Sequence, residues 1–345
     1  MTDAASYKDF SRRRVLLLLL FSALLALTAL FDMTVGAARL PVAEILKGVF
    51  HPGSVSDMTR AILWTLRFPA SLTAAAVGAA LGLSGAVMQT ILRNPLASPY
   101  TLGVGAGAAF GASLAILCRF HVPFLPADAF VPLFSFVSAM SVCLLIYALG
   151  RVRGMSSDTM VLAGIALLFL FRALQALLQY FADEGDLQAM VFWTFGSLQK
   201  AAWPKLAFTA AVFALCFPAV MRDAWKYTAL LLGDEKAESL GVKTSRLKLR
   251  GFFLVSLLSA AAVCFVGTIG FIGLAGPHIA RLLAGDDQRF YLPLSSLCGA
   301  LLLSAASVIS KALHPGSIFP IGIITSLIGV PFFFALILRR WRTLS

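Results

Sequence analysis

Long apolar runs, separated by short polar stretches, dominate the hydrophobic pattern of this chain. A membrane-spanning helix needs about 20 mostly apolar residues, and the runs predict ten spans. These cover residues 15–35, 61–90, 100–117, 130–149, 159–182, 203–221, 251–270, 271–284, 291–310 and 320–338. The eighth span is short, and we expect Gly273, Gly276 and Pro277 to break it. The pattern therefore predicts an all-α polytopic membrane protein.

The composition supports this class. Hydrophobic residues make up 59% of the chain and charged residues only 13%, with a mean hydropathy of +0.89. A soluble domain needs more polar surface than this, so membrane lipid is the expected surrounding. Arg12, Arg13 and Arg14 precede the first span as in a signal peptide. That apolar run is too long for a signal peptide, and we predict an uncleaved first helix.

The distribution of basic residues predicts the orientation. If the N-terminus is cytoplasmic, 19 of the 28 Lys and Arg residues fall in inner segments and 8 in outer segments, and Arg172 is the remaining one. An excess of Lys and Arg on the cytoplasmic side is typical of membrane proteins. It predicts that both termini are cytoplasmic. It also explains the net charge of +12 without a nucleic-acid partner.

Small residues recur at every fourth position in two of the predicted spans. One stripe is Gly78, Gly82 and Ala86, and the other runs over 103–111 with glycine at 103, 107 and 111. Such stripes allow helix backbones to approach closely. The spacing in the second stripe does not fit a dinucleotide-binding loop, so we interpret both as helix-packing surfaces.

One cation lies in the middle of an apolar span. Arg172 is near the midpoint of the fifth span, and Gln175 and Gln179 follow at i+3 and i+7, so the three side chains share one helix face. Asp183 continues that face at the outer end. The stripe is interpreted as the lining of a cavity, and its positive charge favours an anionic cargo. The alternative is an arginine satisfied by carbonyls or a glutamine at a helix–helix contact.

The chain lacks the usual signs of its own chemistry. No GxxxxGK[ST] phosphate-binding loop occurs, and the four histidines are far apart. The five cysteines are scattered and are interpreted as buried apolar residues, so no metal site is expected. We predict no catalytic residues and no bound cofactor. Mid-membrane carboxylates, which ion-coupled transporters usually need, are also missing, which weakens a stand-alone secondary transporter.

A charged loop at about 222–250 separates the sixth and seventh spans. Within "LLLGDEKAESLGVKTSRLKLRG" (230–251), Asp234 is expected to cap a short helix, Glu235 to favour its N-terminus and Gly241 to end it. The loop carries either cytoplasmic charge alone or a helix that contacts a soluble partner.

Four blocks of the sequence resemble the permease subunits of the FecCD family. They are "LRFPASLTAAAVGAALGLSGAVMQTILRNPLASPYTLGVGAGAAFGA" (66–112), "LLGDEKAESLGV" (231–242), "GTIGFIGLAGPHIARLLAGDDQRFYLP" (267–293) and "FPIGIITSLIGVPFFFALILRR" (319–340). These permeases belong to ABC importers for iron–siderophore complexes, haem and vitamin B12. The resemblance covers nearly the whole chain after residue 60.

The resemblance implies a type II ABC importer permease fold, with residues 1–345 forming one transmembrane permease domain. It implies a second permease, usually an identical copy, with the translocation path at the interface. Two cytoplasmic ATPase subunits would use ATP and Mg, and a substrate-binding protein would dock outside. The expected location is the bacterial inner membrane. The expected cargo is an iron-siderophore or haem, with vitamin B12 or an oxyanion as alternatives.

The resemblance also assigns residues. ATPase coupling falls on Gly233, Asp234, Glu235, Ala237, Leu240 and Gly241. The cytoplasmic gate falls on Ser156 and Ser157, and the translocation path, by our own inference, on Arg172, Gln175 and Gln179. Docking of the binding protein through exposed ion pairs falls on Arg67 and Lys311. The family commonly has "RLPR" where this chain has "RFPA", so Ala70 replaces a basic residue, and Arg60 is the candidate substitute.

Overall fold

The computed structural model describes residues 2–36, 38, 40–119, 126–153, 156–313 and 319–342, and every regular element among them is helical. The α-helices are α1 (Thr2–Thr34), α2 (Val42–Phe50), α3 (Asp57–Ala61), α4 (Phe68–Leu92), α5 (Val104–Cys118), α6 (Phe130–Arg153), α7 (Ser157–Phe181), α8 (Glu184–Thr194), α9 (Trp203–Arg222), α10 (Ala224–Leu230), α11 (Asp234–Ser239), α12 (Thr244–Val266), α13 (Ile272–Ala284), α14 (Gln288–Ala312) and α15 (Ile321–Arg342). A π-helical turn, Ile62–Arg67, joins α3 to α4 without a break.

The predicted spans correspond to ten apolar helices in the described part of the chain. Seven are long and apolar enough to cross a membrane, and three shorter apolar helices are Val104–Cys118, Ile272–Ala284 and Ile321–Phe332. The all-helical prediction is confirmed. We call the end of the bundle that carries α10 and α11 the inner end, following the charge distribution, and the opposite end the outer end.

One predicted boundary and one predicted helix break are wrong. The seventh span was expected at 251–270, but α12 begins at Thr244 and ends at Val266. The charged loop therefore ends before 244, and Lys248 is a buried residue of a helix. The eighth span is not broken at Pro277, which lies inside the continuous helix α13. Pro277 has no backbone N–H to donate to the carbonyl of Gly273, four residues earlier. That carbonyl packs against Gly85 of α4 instead.

The central helices α4, α12 and α14 are mostly buried, whereas α1, α7 and α9 keep most of their surface on the outside of the single chain. Glycines bring α4 against α14 backbone to backbone. A Cβ added at Gly78 would lie 2.4 Å from the carbonyl oxygen of Gly299, and one at Gly82 would lie 2.3 Å from that of Ser295. The predicted packing role of the 78–86 stripe is confirmed, since both contacts exclude any side chain.

The second stripe divides between two neighbours. Gly107 and Gly111 pack on α6, where a Cβ at Gly111 would lie 2.2 Å from the carbonyl oxygen of Phe134. Gly103 precedes α5 in the left-handed conformation, with φ +86°, and contacts the backbone of Leu168 in α7. Glycine is needed there for its positive φ as well as for the close approach.

Three interruptions of the helices meet inside the bundle. They are the end of α8, the connection between α12 and α13, and the start of α15. Ser197 N donates to the carbonyl of Val266 (2.7 Å), and Gly322 N donates to that of Phe195 (3.0 Å). Non-helical backbone inside a membrane must be satisfied by protein or must line a cavity. These bonds satisfy it, and a cavity lies beside the junction.

Candidate translocation and coupling sites

The predicted coupling segment forms two short helices at the inner end. Asp223, which is buried after α9, accepts hydrogen bonds from Lys226 (2.7 Å) and forms an ion pair with Arg250 of α12 (2.9 Å). Burial raises the pKa of the neighbouring Tyr227, and the negative charge of Asp223 adds to the rise. These contacts fix α10 against the start of α12, so α11 is held on a rigid base.

The predicted cap of α11 differs from the one observed. Gly233, with φ +106°, is the N-cap residue, and Asp234 is the first helical residue. Its Oδ2 lies 2.6 Å from Nζ of Lys248, so the carboxylate tethers α11 to α12 instead of capping it. Glu235 lies in the first turn as expected. Lys248 was read from the sequence as part of the charged loop, and only its buried position in α12 makes this tether possible.

The end of α11 agrees with the prediction. Leu240 is the C-cap residue, and Gly241 follows with φ +81°. The amide of Gly241 donates to the carbonyl of Glu238 (2.9 Å), and that of Val242 donates to the carbonyl of Ala237 (3.0 Å). Ala237 is buried, whereas Glu235 and Leu240 are exposed. The segment therefore presents one face outward, as a contact with a soluble partner requires.

The candidate gate residues lie at the start of α7. The hydroxyl of Ser156 accepts a hydrogen bond from the amide of Thr159 (3.2 Å) and donates to its hydroxyl (2.8 Å), so Ser156 is the N-cap. Ser157 is half-buried. Residues 154 and 155 lie outside the described part of the chain. The role of both serines as a gate stays a prediction.

The polar stripe of α7 lies outside the single chain. Phe171 faces the core, whereas Arg172 is exposed, and Gln175 and Gln179 are half-buried. Among the described residues, none forms a hydrogen bond or ion pair with the guanidinium of Arg172. The alternative in which carbonyls of the same chain satisfy this arginine therefore lacks support. Asp183 has a different function, because its Oδ1 caps α8 by accepting from the amide of Asp186 (2.8 Å).

A cavity that the sequence did not reveal lies at the helix junction. Its volume is about 520 Å³, and polar atoms reach it from Tyr100, Thr268 and Ser326. Tyr100 belongs to the loop that leads to Gly103, which contacts Leu168 one turn before Arg172. Gly267, with φ +80°, begins this break in a conformation that favours glycine.

The outer end differs from the predicted set of exposed docking cations. Arg67 is only 8% exposed, and its guanidinium donates to the carbonyls of Met33, Val35 (2.9 Å) and Ala38. Lys311 is buried in an ion pair with Asp32. The expectation of exposed pairs is wrong for both, because Val35 and Ala38 cover the guanidinium of Arg67 and Lys311 is taken up by Asp32 of α1. Arg60 is exposed, and among the described residues its one ion pair is with Asp57, 2.7 Å away.

Arg67 and Lys311 nevertheless line an outer cavity of about 420 Å³, whose walls are mainly apolar. No group of three or more His, Cys, Asp or Glu residues that could hold a metal occurs in the described ranges. Four of the cysteines are buried as predicted, and Cys118 is exposed, which corrects the expectation for that residue.

The fold and these sites define a class: an all-helical, multi-pass membrane permease. The chain belongs to the FecCD transport family, which it matches over residues 24–339. A Methanocaldococcus jannaschii protein named as an ABC transporter permease is 37% identical, over 97% of this chain and 98% of its own. The hemin transport permease HmuU of Yersinia pestis is 36% identical over 91% of this chain and 94% of its own.

A solved structure of a metal-chelate type ABC transporter, in an inward-facing conformation, has the same fold. Its TM-score is 0.82 at 33% identity, and the match covers 93% of this chain and 98% of the other. The family assignment and the type II ABC permease fold are thereby confirmed. Other relatives are named for the import of molybdate, iron(3+)-hydroxamate and vitamin B12, so family membership does not determine the cargo.

Proposed function

We propose that this ABC importer permease carries an anionic metal chelate, an iron-siderophore or haem, through the interface between two copies of the chain. The observation that carries the proposal is the guanidinium of Arg172 on α7, which is exposed and has no partner among the residues that the structure describes. An arginine at the centre of a span costs about 2.5–3.5 kcal/mol on insertion scales. Contact with a second copy and a water-filled path would offset that cost, whereas lipid would not.

The second copy is the natural cover for this face. The outward surface of α7 combines the polar stripe with large exposed apolar residues, among them Phe169 and Leu170. Two identical chains related by a two-fold axis would bring two Arg172 side chains to one path. Carboxylates of a siderophore or propionates of haem complement that charge.

Energy would come from partners, since the chain has no phosphate-binding loop. Two cytoplasmic ATPase subunits, using ATP and Mg, would contact α11 through Glu235 and Leu240, which are exposed. Asp234 and Ala237 would hold the helix in place, with Gly233 and Gly241 shaping its ends. Ser156 and Ser157 would form the cytoplasmic gate. The charge distribution favours the inner membrane with both termini cytoplasmic.

A substrate-binding protein would deliver the cargo at the outer end. Arg60 is the basic residue best placed for a direct ion pair, because it is exposed. Arg67 and Lys311 would act by shaping the outer cavity and by their positive field, unless the connection after α1 moves on docking. Their role in docking is part of this proposal.

Uptake by proteoliposomes tests the function. The chain would be reconstituted with its cognate ATPase and binding protein and offered a labelled ferric siderophore, hemin, cyanocobalamin or molybdate in separate assays. We expect ATP-dependent accumulation of a ferric siderophore or hemin. Accumulation of cyanocobalamin or molybdate alone would contradict the proposed cargo. Accumulation without ATPase or ATP would contradict the importer and favour a secondary transporter.

A further inference from the structure

A cavity of about 740 Å³ opens at the inner end of α4, beside the coupling segment. Gln89 and Arg93, which end α4, form one wall, and Leu232, which precedes α11, lies on the rim. It is larger than the two cavities described above, and none of the functions proposed so far involves it. Its chemistry is set by the buried amide of Gln89, the guanidinium of Arg93, which has no hydrogen-bond partner or ion pair among the described residues, and an apolar rim.

Gln89 supplies a buried donor without a partner. The residue is 2% exposed, and its Oε1 accepts a hydrogen bond from the hydroxyl of Tyr291 (3.1 Å). Arg281 in turn donates to that hydroxyl (3.2 Å), which fixes the direction of the chain of bonds. Nε2 of Gln89 has no hydrogen-bond partner among the described residues. Leaving a buried donor unsatisfied costs about 1–3 kcal/mol, so the position is suited to an acceptor that arrives from outside.

Arg93 supplies the charge. It follows Gln89 by four residues and is the C-cap of α4 in the left-handed conformation, with φ +46°. That conformation is uncommon for a residue with a side chain. Here it places the guanidinium above Gly233, where an added Cβ would lie 3.4 Å from Nη1. In the parts of the chain that the structure describes, no carboxylate or carbonyl forms a hydrogen bond with this guanidinium.

The other charges in the cavity are already paired. Arg281 lies 3.0 Å from Asp286, and Arg289 lies 2.8 Å from Asp287. The lining therefore keeps one net positive charge, which belongs to Arg93. A single carboxylate would neutralise it and could accept from both the guanidinium and the free amide of Gln89.

The rim indicates the kind of molecule that carries this carboxylate. Trp225 and Leu232 line the cavity and are 58% and 59% exposed, although both belong to the charged segment outside the spans. Large exposed apolar side chains around a desolvated polar centre are typical of a protein–protein contact. A protein partner fits this rim better than a lipid, because Trp225 and Leu232 place the cavity beside the coupling segment.

We propose that this cavity receives an Asp or Glu side chain of the cytoplasmic ATPase subunit, with Gln89 and Arg93 as the two donors. The inference rests on the proposed function, since it needs an ATPase that docks at this end. It extends the docking surface from α11 to the end of α4. A movement of the ATPase would then act directly on the central helix, as well as on the coupling helix.

Binding of the cognate ATPase subunit to the full chain tests the proposal. The chain would be placed in nanodiscs of phosphatidylcholine alone, and the dissociation constant measured for the wild type, Arg93→Glu, Arg93→Lys and Gln89→Glu. The matched control is Arg12→Glu, which makes the same charge change at an exposed inner residue on the face of α1 opposite Arg14. Thermal unfolding of each variant would confirm that the chain is folded.

We expect Arg93→Glu and Gln89→Glu to weaken binding by about tenfold or more, because each places a negative charge opposite the incoming carboxylate. Arg93→Lys and the control should stay within about threefold, since both keep the positive charge of the cavity. An Asp or Glu to Lys change in the ATPase that restores binding to Arg93→Glu would identify the partner side chain.

Two results would overturn the inference and leave the proposed function standing. One is wild-type affinity of a folded Arg93→Glu variant. The other is a loss of ATPase affinity in Arg93→Glu that appears only when phosphatidylglycerol is added to the nanodiscs. That result would assign the cavity to a lipid phosphate. Failure of the wild-type chain to bind the ATPase at all would instead contradict the proposed function.

Discussion

Nζ of Lys311 lies 2.6 Å from Oδ2 of Asp32, and the pair joins α14 to the outer end of α1. The lysine side chain is 10% exposed and the carboxylate is fully buried. Oδ1 of Asp32 has no hydrogen-bond partner among the described residues. Arg67 lies near enough to add a second positive charge to this site. The carboxylate is therefore stabilised mainly by the positive charges of Lys311 and Arg67, and not by further hydrogen bonds from the described residues.

Replacement of Lys311 by methionine should destabilise the chain strongly. It leaves a buried carboxylate with one cation fewer, and breaking a buried pair costs about 3–5 kcal/mol. Thermal unfolding in detergent would measure the loss. The double variant Lys311→Met with Asp32→Asn should recover part of the lost stability, because it leaves no unpaired carboxylate at this site. Arg60→Ala, which breaks an exposed pair, is the control and should cost about 0–1 kcal/mol.

Gly85 should not tolerate alanine. A Cβ there would lie 1.8 Å from the carbonyl oxygen of Gly273, so α4 and α13 would have to separate. Overpacking of this kind costs about 1–3 kcal/mol or more. Gly53→Ala is the matched control, because a Cβ at Gly53 meets nothing within 4 Å. Equal unfolding temperatures for the two variants would show that the contact is looser than the structure indicates.

The spans could be predicted because each is a continuous apolar run, and such a run has one stable form in lipid. The boundary between the seventh and eighth spans was predicted at 270/271, but the non-helical stretch 267–271 was not, because it continues the apolar run of α12. It is held open by bonds from residues far away in sequence, such as Ser197 to Val266. Local pattern carries no information about such partners.

The candidate sites likewise divide into features that depend on local sequence and features that depend on distant residues. Gly241 was found from sequence, because a helix end depends on local conformation. The burial of Arg67 was missed, because its partners are carbonyls about thirty residues earlier, in a connection whose course no local rule predicts. The role of Gln89 could not be predicted either, since whether an amide has a hydrogen-bond partner depends on the positions of its neighbours in the folded chain.

Gly241 should be needed for its backbone conformation alone. Its φ is +81°, and an added Cβ would meet nothing within 4 Å, so the cost of alanine is the left-handed conformation itself, about 1–2 kcal/mol. Gly241→Ala should weaken ATPase binding and ATP-driven uptake, with only a small decrease in the unfolding temperature of the bundle, since the strain is confined to one residue at the end of α11. Gly241→Asn should lose less, because asparagine tolerates this conformation. Equal losses for the two variants would point to a side-chain clash with the partner.

Asp287 should make a pH-dependent contribution to stability. Its pKa is held below the ordinary value, chiefly because Arg289 donates a hydrogen bond to it, with the charge of Arg14 adding to the effect. The contribution is therefore fully present above about pH 4, the ordinary value, and is lost as the pH falls through the lowered pKa. Asp287→Asn removes the charge and keeps a side chain able to cap α14.

The unfolding temperature of Asp287→Asn should accordingly be below that of the wild type at neutral pH. The difference should shrink as the pH falls below about 4, since the wild-type carboxyl then becomes neutral too. A difference that is constant down to acid pH would assign the effect to packing instead of charge.

Arg172→Ala should slow uptake of an anionic chelate while leaving ATPase binding and assembly unchanged. The guanidinium has no partner in the described part of its own chain, so its removal breaks no internal bond there and should cost little stability. Arg172→Lys keeps the charge and should retain most of the rate, whereas Arg172→Glu should lower it below that of alanine through repulsion.

Leu177→Ala, at another exposed position of α7, is the control for surface area. Initial rates in proteoliposomes, normalised to assembled complex, would separate these cases. A normally assembled Arg172→Ala complex that transports at the wild-type rate would remove this residue from the path.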